Sequence, residues 1–365
     1  MQIPVNSLQR HIEPLANRLA ATSRKVIDSG YFVLGPHLQR FEEAFADYCG
    51  VEHVVGVGNG TDALELALRA LGVEQGDRVA VVANAAMYGT TAALACGAIP
   101  VFVDIDPATH TMSPAAFASA IASAPIKAAI VTHLYGRLAD MRTLLPLCRA
   151  HGVSVLEDCA QAHGAQDASG VRAGAFGDIA AFSFYPTKNL GALGDGGAVA
   201  TYDPALAQRT RQLRQYGWSG KYTNELPGGR NSRLDELQAA LLLDMLPELD
   251  RWNARRVEIA NCYSRDIRSA SLVVPPESRN GYVAHLYVVQ TDARDAVRER
   301  LAAAGVQTDV HYPTPDYRQP CLRGLFDDVS LPATEHASRT VLTLPCFPEM
   351  TDAEVDAVIA ACNAS

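Results

Sequence analysis

Seven short apolar segments between residues 50 and 200 constrain the fold of this chain more than any other feature. Each is nearly continuous in apolar residues and shows little alternation of polar and apolar positions, which is typical of strands buried on both faces of a sheet. The segments are HVVGV (53–57), RVAVVA (78–83), PVFVDI (100–105), KAAIVT (127–132), VSVLED (153–158), IAAFSF (179–184) and GAVAT (197–201). Helical patterns separate several of them, at 61–71, 113–122 and 141–152. This alternation predicts a largely parallel α/β sheet with helices on both sides.

The pattern changes towards the C-terminus. A long apolar helix is predicted at 234–252, and its leucine density exceeds what one exposed helix face can carry. One strand-like segment and two helical patterns follow, at 283–291, 294–305 and 351–362. A chain of 365 residues is long enough for one large domain and a smaller one. We therefore predict a large α/β domain over 1–250 and a small C-terminal α+β domain over 251–365, with the N-terminal segment packing near the small domain.

Composition narrows the class of protein. Lysine and arginine number 31 against 40 aspartates and glutamates, and the resulting net charge of −9 does not attract a polyphosphate backbone. No apolar run reaches the roughly 18 residues of a membrane span, and the segment MQIPVNSLQRHIEP lacks the pattern of a secretory signal. The eight cysteines form no C-x-x-C pair, which argues against a zinc site or a disulfide framework. We expect a cytoplasmic protein with no bound metal and with neither nucleic acid nor membrane among its partners.

Lys188 lies in an unusual setting for a charged residue. It stands in SFYPTKNLGALGDGG (183–197), between a Ser/Tyr/Pro approach and four glycines. An exposed turn at the end of a helix explains such a lysine without chemistry, because lysine is normally a solvated surface residue. The alternative is a reactive amine that forms a Schiff base with an aldehyde, beside glycines that let the backbone pass close to a bulky cofactor. This segment alone leaves both interpretations open.

A second segment offers a phosphate site. VGVGNGTDALELAL (55–68) runs from a strand into a helix whose first residues, Gly60, Thr61 and Asp62, form a cup at the positive end of the helix dipole. Threonine at position 61 breaks the dinucleotide fingerprint, and no Gly-Lys-Ser/Thr follows to make a Walker loop. Glycine-rich turns between strand and helix are also common as plain structure. Ser183, at a predicted strand end, is a further candidate for a phosphate contact.

Asp158 ends a predicted buried strand in VLEDCAQAHGA (155–165). Open α/β sheets bind ligands beyond the carboxyl ends of their strands, and a carboxylate there is the partner that a pyridinium nitrogen needs. A cap on the next helix explains the same residue equally well. A phosphate cup, an acidic partner for a ring nitrogen and a Schiff-base lysine thirty residues later together indicate pyridoxal 5′-phosphate (PLP).

With these motifs in place, the sequence resembles a known family over nearly its whole length, the sugar-nucleotide aminotransferases of the DegT/StrS group. The resemblance rests on the lysine segment, on LEDCAQAHGA and on blocks such as GGRNSRLDELQAA (228–240) and HYPTPDYRQP (311–320). It implies the aspartate-aminotransferase fold, which is the PLP-dependent transferase fold (fold type I). That fold has a large α/β domain with a mostly parallel sheet and a smaller C-terminal α+β domain.

The resemblance also implies roles for individual residues. Lys188 would form the Schiff base with PLP, Asp158 would hold the ring nitrogen, and Gln161 would lie near the phenolic oxygen of the ring. Phosphate contacts are expected from Gly60, Thr61, Asp62, Ser183 and, from the second subunit, Asn231. The enzyme is therefore predicted to be a homodimer with shared active sites. The leucine density of the helix at 234–252 predicts in addition that residues near 231–245 lie at the dimer interface.

The family places an aromatic residue against the cofactor ring, from the segment that is ANAAMYGTT (83–91) in this chain. An ungapped match puts Ala86 at that position, and we assign the aromatic contact to Tyr88, two residues on. Substrate contacts are expected from Tyr31, Arg233, His311, Tyr312 and Tyr317. A structural role explains each of them equally well, since tyrosine and histidine often pack at domain junctions with a single hydrogen bond.

Transamination is the reaction that the resemblance implies, with PLP alternating with its amine form, PMP. L-Glutamate would donate the amino group in amino-sugar biosynthesis, and a nucleotide-linked 3- or 4-keto-6-deoxyhexose would receive it, with dTDP as the expected nucleotide. Two alternatives share the scaffold. A PLP-dependent sugar dehydratase has histidine in place of the lysine, which Lys188 argues against. A non-catalytic sensor would not need the pair of Asp158 and Lys188.

Overall fold

The computed structural model describes residues 2–278 and 280–364. Its α-helices are α1 (Leu8–Ile12), α2 (Ala16–Ser29), α3 (Pro36–Cys49), α4 (Gly60–Ala70), α5 (Tyr88–Ala95), α6 (Pro114–Ser123), α7 (Met141–His151), α8 (Pro204–Leu213), α9 (Glu236–Met245), α10 (Leu249–Asp266), α11 (Arg294–Ala303), α12 (Pro332–Thr340) and α13 (Asp352–Asn363). Its strands are β1 (His53–Val57), β2 (Arg78–Val82), β3 (Ile99–Val103), β4 (Ala128–Thr132), β5 (Ser154–Asp158), β6 (Ile179–Ser183), β7 (Gly197–Thr201), β8 (Trp218–Gly220), β9 (Thr223–Asn224), β10 (Tyr287–Gln290) and β11 (Val341–Leu344). Short 3-10 turns lie at Glu13–Leu15, Leu134–Gly136, Leu246–Glu248, Asp316–Arg318 and Pro320–Leu322.

A seven-stranded sheet forms the centre of the fold, in the order β1-β7-β6-β5-β4-β2-β3. The strands from β2 to β6 run parallel to one another, and β7 runs antiparallel to both β1 and β6. All seven predicted segments between residues 50 and 200 form these strands. The predicted α/β architecture with a largely parallel sheet is therefore confirmed.

Both faces of the sheet are covered, as continuous apolar strands require. On one face, Phe41 and Phe45 of α3 pack against Phe184, with ring centroids 5.3 and 5.4 Å from it. Neighbouring residues of β6 point to opposite faces: Phe182 joins the cluster with α3, and Ala181 joins the cluster with α4. The sheet is thus the middle layer of a three-layer packing.

The C-terminal residues build a separate buried cluster around the antiparallel pair of β10 and β11. Ile3 belongs to this cluster and forms a backbone bridge with Val306. Helix α10 joins the two parts of the chain, because Trp252 packs in the cluster with α3 whereas Tyr263 packs in the C-terminal cluster. The predicted domain boundary at 250/251 falls near the start of this helix and stays a prediction.

The prediction of a single helix over 234–252 is wrong. The helix begins at Glu236 and divides at Pro247, where a 3-10 turn separates α9 from α10, because proline lacks the backbone N–H that a continuous helix needs. Its leucines serve the chain's own core: Leu241, for example, is 1% exposed. The leucine density therefore gives no support to a dimer interface at 231–245, and that position rests on the resemblance alone.

The ends of the C-terminal elements differ from the prediction in one place and agree in another. The predicted strand at 283–291 is shorter, since β10 begins only at Tyr287, and Ala284 takes a left-handed conformation with φ 45°. The last helix begins as predicted with a capping box, in which Thr351 Oγ1 accepts from Glu354 N and the Glu354 carboxylate accepts from Thr351 N. The helix cap could therefore be predicted from the sequence, whereas the length of the short strand could not.

Two further observations concern the whole described chain. None of the helices in residues 2–278 and 280–364 combines the length and hydropathy that a membrane span requires. All eight cysteines are free thiols, and only Cys321 is exposed. Burial raises the pKa of several of them, among them Cys96 and Cys148, each to about 11, so these thiols pack as small apolar side chains.

Candidate active site

Lys188 follows β6, in the glycine-rich segment that returns to the sheet as β7. The segment turns sharply: Lys188 N donates to the Tyr185 carbonyl oxygen at 2.8 Å, and a side chain at Gly191 would lie 2.4 Å from the Pro186 carbonyl oxygen. The lysine lines a cavity of about 270 Å³. Burial lowers the pKa of Lys188 to about 8, although the Asp158 carboxylate opposes the shift. An appreciable fraction of free amine is therefore present near neutral pH, as a nucleophile requires, which favours the second interpretation of this lysine.

The same cavity brings together residues from distant segments. The predicted cofactor contacts that line it are Gly60, Thr61, Tyr88, Asp158, Ser183 and Lys188. Asn59, Tyr185 and Asp195 line it too, although the sequence did not single them out. Asn59 carried a signal, since asparagine directly before a helix is a typical cap, whereas nothing in the sequence distinguished Tyr185 and Asp195.

One end of the cavity is built by the start of α4. The Asn59 side-chain oxygen accepts from Asp62 N at 2.8 Å and so caps the helix. Gly60 lies so close to β6 that a Cβ on it would be 2.5 Å from the Ser183 Cβ, which explains glycine at this position. The first turn of α4, together with the Thr61 and Ser183 hydroxyls, is an arrangement that binds phosphate.

Asp158 ends β5 and is buried. Its Oδ1 accepts from Ala160 N at 3.1 Å, and its Oδ2 accepts from Thr132 Oγ1 at 3.3 Å. Burial raises the pKa of Asp158, while the Ala160 N–H and the charge of Lys188 oppose the shift. The carboxylate thus caps a turn and also lines the cavity, so the two interpretations of Asp158 are compatible.

A second cavity, of about 330 Å³, adjoins the first and shares Tyr88, Tyr185 and Lys188 with it. His311 and Tyr312, two of the predicted substrate contacts, line this cavity. Its volume lies at the small end of the range of ligand pockets, and its walls carry several hydroxyl and imidazole groups. Lys188 therefore stands between a cavity bordered by the start of α4 and a second cavity with polar walls.

Gln161 lines neither cavity but contacts a residue of the second one. Its Nε2 donates to the Tyr312 hydroxyl at 3.1 Å, and its Oε1 accepts from Tyr135 N at 2.6 Å. Gln161 lies three residues after Asp158, in the turn that follows β5. Its predicted contact with the phenolic oxygen of the ring stays a prediction.

His285 is a functional candidate that the sequence left unassigned. It lines the second cavity, and its Nδ1 lies 2.9 Å from Asn189 Oδ1. Because Asn189 Nδ2 donates to Asn253 Oδ1 at 2.7 Å, the Asn189 oxygen must accept from His285, and Nδ1 carries the proton. Burial, followed by the charge of Lys188, holds the pKa of His285 well below its usual value. The ring is therefore neutral, with Nε2 free of a proton.

Six of the predicted residues line neither cavity in the described chain, namely Gln161, Asp62, Tyr317, Tyr31, Asn231 and Arg233. Tyr317 is 2% exposed, and its hydroxyl donates to Glu335 at 2.9 Å, which gives it a packing role instead of the expected substrate contact. Tyr31 is 61% exposed and lines a separate groove. Asn231 is exposed and Arg233 is half-buried, and neither reaches the Lys188 cavities within one chain. Contacts from these last two residues require a second subunit.

Asp62 also lies outside the cavity. Its carboxylate accepts from Arg230 Nη1 at 3.3 Å, and Arg230 also pairs with Glu65. An acidic side chain this near a phosphate contributes through its backbone and through the helix that it begins, since its charge repels the anion. Asp62 therefore lies in the first turn of α4, and its side chain contacts Arg230.

His133, Glu157 and Cys159 form a buried group with metal-ligand chemistry. Ala139 N donates to His133 Nδ1 at 3.1 Å, so the proton of the ring is on Nε2, which donates to Glu157 Oε2 at 2.8 Å. Glu157 also accepts from three backbone N–H groups, those of residues 174, 176 and 177. Both ring nitrogens and both carboxylate oxygens are thus occupied, and these bonds tie Glu157 of β5 to His133 and to the backbone of residues 174, 176 and 177.

These features fit PLP. The cofactor needs an amine for its aldehyde, an acidic partner for its ring nitrogen and a site for its phosphate. Lys188, Asp158 and the first turn of α4 supply one each, around one cavity. Gly60 lies so close to Ser183 that only a glycine fits there. The absence of a side chain leaves the α4 end of the cavity open.

The DegT/DnrJ/EryC1/StrS aminotransferase family model matches residues 15–363 of this chain. The chain belongs to this family. The predicted family is thereby confirmed. The prediction that the chain is an aminotransferase is confirmed as well.

Individual relatives match this aminotransferase over nearly their full lengths. It is 44% identical over 368 residues to the erythromycin biosynthesis sensory transduction protein EryC1 of Saccharopolyspora erythraea, with 100% of both chains covered. It is 43% identical over 352 residues to the dTDP-3-amino-3,4,6-trideoxy-alpha-D-glucose transaminase of Streptomyces venezuelae, covering 96% of this chain and 92% of that relative. The crystal structure of S. venezuelae DesV in complex with a ketimine intermediate superposes with a TM-score of 0.95 at 43% identity, covering 99% of this chain and 98% of that one. The predicted fold type is confirmed by this agreement.

Proposed function

We propose that this chain is a PLP-dependent aminotransferase that moves an amino group from L-glutamate to a nucleotide-linked 3- or 4-keto-6-deoxyhexose, with dTDP as the nucleotide. The observation that carries the proposal is Lys188, an amine of lowered pKa between a phosphate-binding cavity and a polar cavity. The S. venezuelae relative named as a dTDP-sugar transaminase supports the choice of nucleotide. We further expect the enzyme to work in the cytoplasm.

Each cofactor-site residue has a task that follows from its surroundings. When bound, PLP supplies an electron sink that makes the Cα–H bond of the amino donor acidic. Lys188 Nζ would hold the aldehyde of PLP and, as a free amine, would carry a proton to and from the reacting carbon as general base and acid. Asp158 keeps the ring nitrogen protonated, because its buried carboxylate is stabilised by a cationic N–H. Tyr88, which lines both cavities, packs against the ring.

The second cavity is the place for the sugar. His311 and Tyr312 line it beside Lys188, and the unprotonated Nε2 of His285 offers an acceptor to a sugar hydroxyl. Burial lowers the pKa of His311, so that ring is neutral as well and can donate or accept. The Asp309 carboxylate and the Lys188 amine line the same cavity, so its wall offers both donors and acceptors to the hydroxyls of a deoxysugar.

The two alternatives are weaker on the same residues. A dehydratase of this scaffold lacks the lysine, whereas Lys188 is present and its amine lies in the cavity. The name of one relative, a sensory transduction protein, would fit a sensor. However, a sensor has no need of an amine whose pKa is lowered to about 8 beside a buried carboxylate.

Spectroscopy followed by product analysis tests the function. The purified protein with PLP should show a visible absorbance band that disappears when L-glutamate is added and returns with an accepted keto sugar. A panel of dTDP-, UDP- and GDP-keto sugars, with the products weighed by mass spectrometry, identifies the acceptor. L-Aspartate and L-alanine serve as control donors. A band that no amino donor changes would instead identify a non-catalytic sensor.

The active sites are expected to be shared across a homodimer. Residues 31–34 form an exposed apolar segment, in which Phe32 is 56% exposed. This segment adjoins the one that carries Asn231, through a backbone bridge between Val33 and Asp235. An exposed apolar segment of this kind is typical of an interface, and it would bring Asn231 to the partner's phosphate.

Subunit mixing tests the shared site. Lys188→Ala and Asn231→Ala are each expected to be inactive or nearly so, and to complement each other after subunit exchange. In an equal mixture half of the dimers are mixed and half of their sites carry no lesion, so about a quarter of the parental activity should return. Two differently tagged Lys188→Ala preparations, exchanged in the same way, are the control and should stay inactive. Complete exchange without recovery would place Asn231 outside the partner's site.

A further inference from the structure

Asp316 is a buried carboxylate that the chemistry above does not use. It lies in the segment that follows His311 and Tyr312 and is 1% exposed. Among the residues that the structure describes, no arginine, lysine or histidine forms an ion pair with it. Burial raises the pKa of Asp316 to about 6. Because a buried and unpaired carboxylate is unfavourable, the bonds that it makes call for a functional explanation.

Both carboxylate oxygens of Asp316 are bonded to the beginning of α5. Oδ1 accepts from Met87 N at 2.9 Å, and Oδ2 accepts from Thr90 Oγ1 at 2.6 Å. The backbone N–H of Asp316 donates to the Ala83 carbonyl oxygen at 2.8 Å, just beyond β2. The segment 311–320 is therefore fastened to the turn between β2 and α5.

This turn has an uncommon conformation. Ala86 and Met87 both have positive φ angles, of 56° and 68°, in the left-handed region that residues with a side chain rarely adopt. Met87 is also the N-cap residue of α5, where its side chain makes no capping hydrogen bond. Asp316 compensates from outside the helix, since it brings acceptors and a negative charge to the positive end of the α5 dipole. Strained turns of this kind persist where surrounding contacts hold them, and they cluster at functional sites.

Tyr88 is the first residue of α5 and follows the two left-handed residues directly, so the turn sets the direction in which its side chain leaves the backbone. We propose that Asp316 is a positioning residue: through Met87 N–H and the Thr90 hydroxyl it holds the turn that places Tyr88 against the cofactor ring. The proposal rests on the proposed function. An ungapped match puts Ala86, not Tyr88, at the aromatic position of the family. The proposal explains how Tyr88 can still supply the aromatic contact, because the left-handed residues Ala86 and Met87 redirect the chain just before Tyr88.

A double-mutant cycle on PLP affinity tests this role. PLP is titrated into the apo forms of the parent, Asp316→Ala, Tyr88→Ala and the double variant, and the dissociation constant is measured by absorbance. Each single substitution should weaken binding by about tenfold. The double variant should be no weaker than Tyr88→Ala alone, because Asp316 acts through Tyr88. Asp316→Asn retains an acceptor oxygen for Met87 N–H and should keep most of the affinity.

Asp327→Ala is the matched control. This aspartate lies eleven residues further on, and its Oδ1 accepts from Gly324 N at 3.1 Å, with no contact to the turn before α5. Its loss should leave PLP affinity unchanged. If Asp316→Ala does not fold, Thr90→Val removes one of the two side-chain contacts and enters the same cycle in its place, with the same non-additivity expected.

Three results would overturn the proposal. Losses that add in the double variant would mean that Asp316 acts independently of Tyr88. Unchanged PLP affinity in Asp316→Ala would mean that Asp316 does not act on cofactor binding. Where Thr90→Val replaces Asp316→Ala in the cycle, unchanged affinity of Thr90→Val has the same meaning. A parent protein that fails to bind PLP would defeat both this role and the proposed function. A parent that binds PLP and responds to glutamate while the losses add would defeat the role of Asp316 alone.

Discussion

Lys188→Ala is expected to abolish transamination and all covalent attachment of PLP while leaving the protein folded. The other three lysines, Lys25, Lys127 and Lys221, are exposed, whereas Lys188 lines a cavity beside Asp158. Because burial lowers the pKa of Lys188 to about 8, its fraction of free amine at pH 8 exceeds that of an ordinary lysine by roughly a hundredfold. Borohydride reduction and peptide mapping provide the measurement: the label should lie on Lys188 in the parent and be absent in the variant.

Lys221→Ala is the matched control for this experiment. It removes an exposed lysine from the following surface segment and should leave both labelling and turnover unchanged. Labelling of the parent should also increase as the pH rises through about 8, since only the deprotonated Lys188 amine attacks the aldehyde. Label on any other lysine of the parent would contradict the assignment, and an altered thermal midpoint of apo Lys188→Ala would reveal a folding defect instead.

The sheet could be predicted from the sequence because its strands are buried on both faces. Such strands must be continuously apolar, as IAAFSF (179–184) is, and the glycines and polar turns between them mark their ends. The helix at 234–252 was mispredicted for a related reason. Its apolar residues form an unbroken pattern across Pro247, and periodicity alone does not reveal the 3-10 turn there.

The grouping of Asp158, Ser183 and Lys188 around one cavity could be predicted because each contribution is local. Asp158 and Ser183 end neighbouring parallel strands, and the carboxyl ends of such strands meet at one edge of the sheet. The second cavity could not be predicted in this way, since it depends on how the C-terminal residues pack onto that edge. Asp316, for example, bonds to a turn 229 residues earlier. Tyr317, its neighbour in the same 3-10 turn, points instead into the core.

Asp158→Asn is expected to keep PLP bound and to lose at least about a hundredfold in kcat, equivalent to roughly 3 kcal/mol in the activation free energy. The amide has nearly the shape of the carboxylate, so its oxygen can still accept from Ala160 N. It carries no charge, however, and a neutral amide does not hold the ring nitrogen protonated. The loss should appear in the step in which Lys188 Nζ moves the proton, measured as a deuterium isotope effect with Cα-labelled glutamate.

Thr132→Val separates this charge effect from the local hydrogen bonds. Thr132 Oγ1 donates to Asp158 Oδ2 at 3.3 Å, so the valine variant removes one contact of the carboxylate and leaves its charge in place. We expect that variant to lose roughly tenfold or less in kcat, because one long hydrogen bond is removed while the charge of Asp158 and its bond to Ala160 N remain. If Asp158→Asn stays within a factor of about two of the parent, the contribution of its charge is less than roughly 0.4 kcal/mol. Asp158 would then be a turn cap on Ala160, and the ring nitrogen would need a different partner.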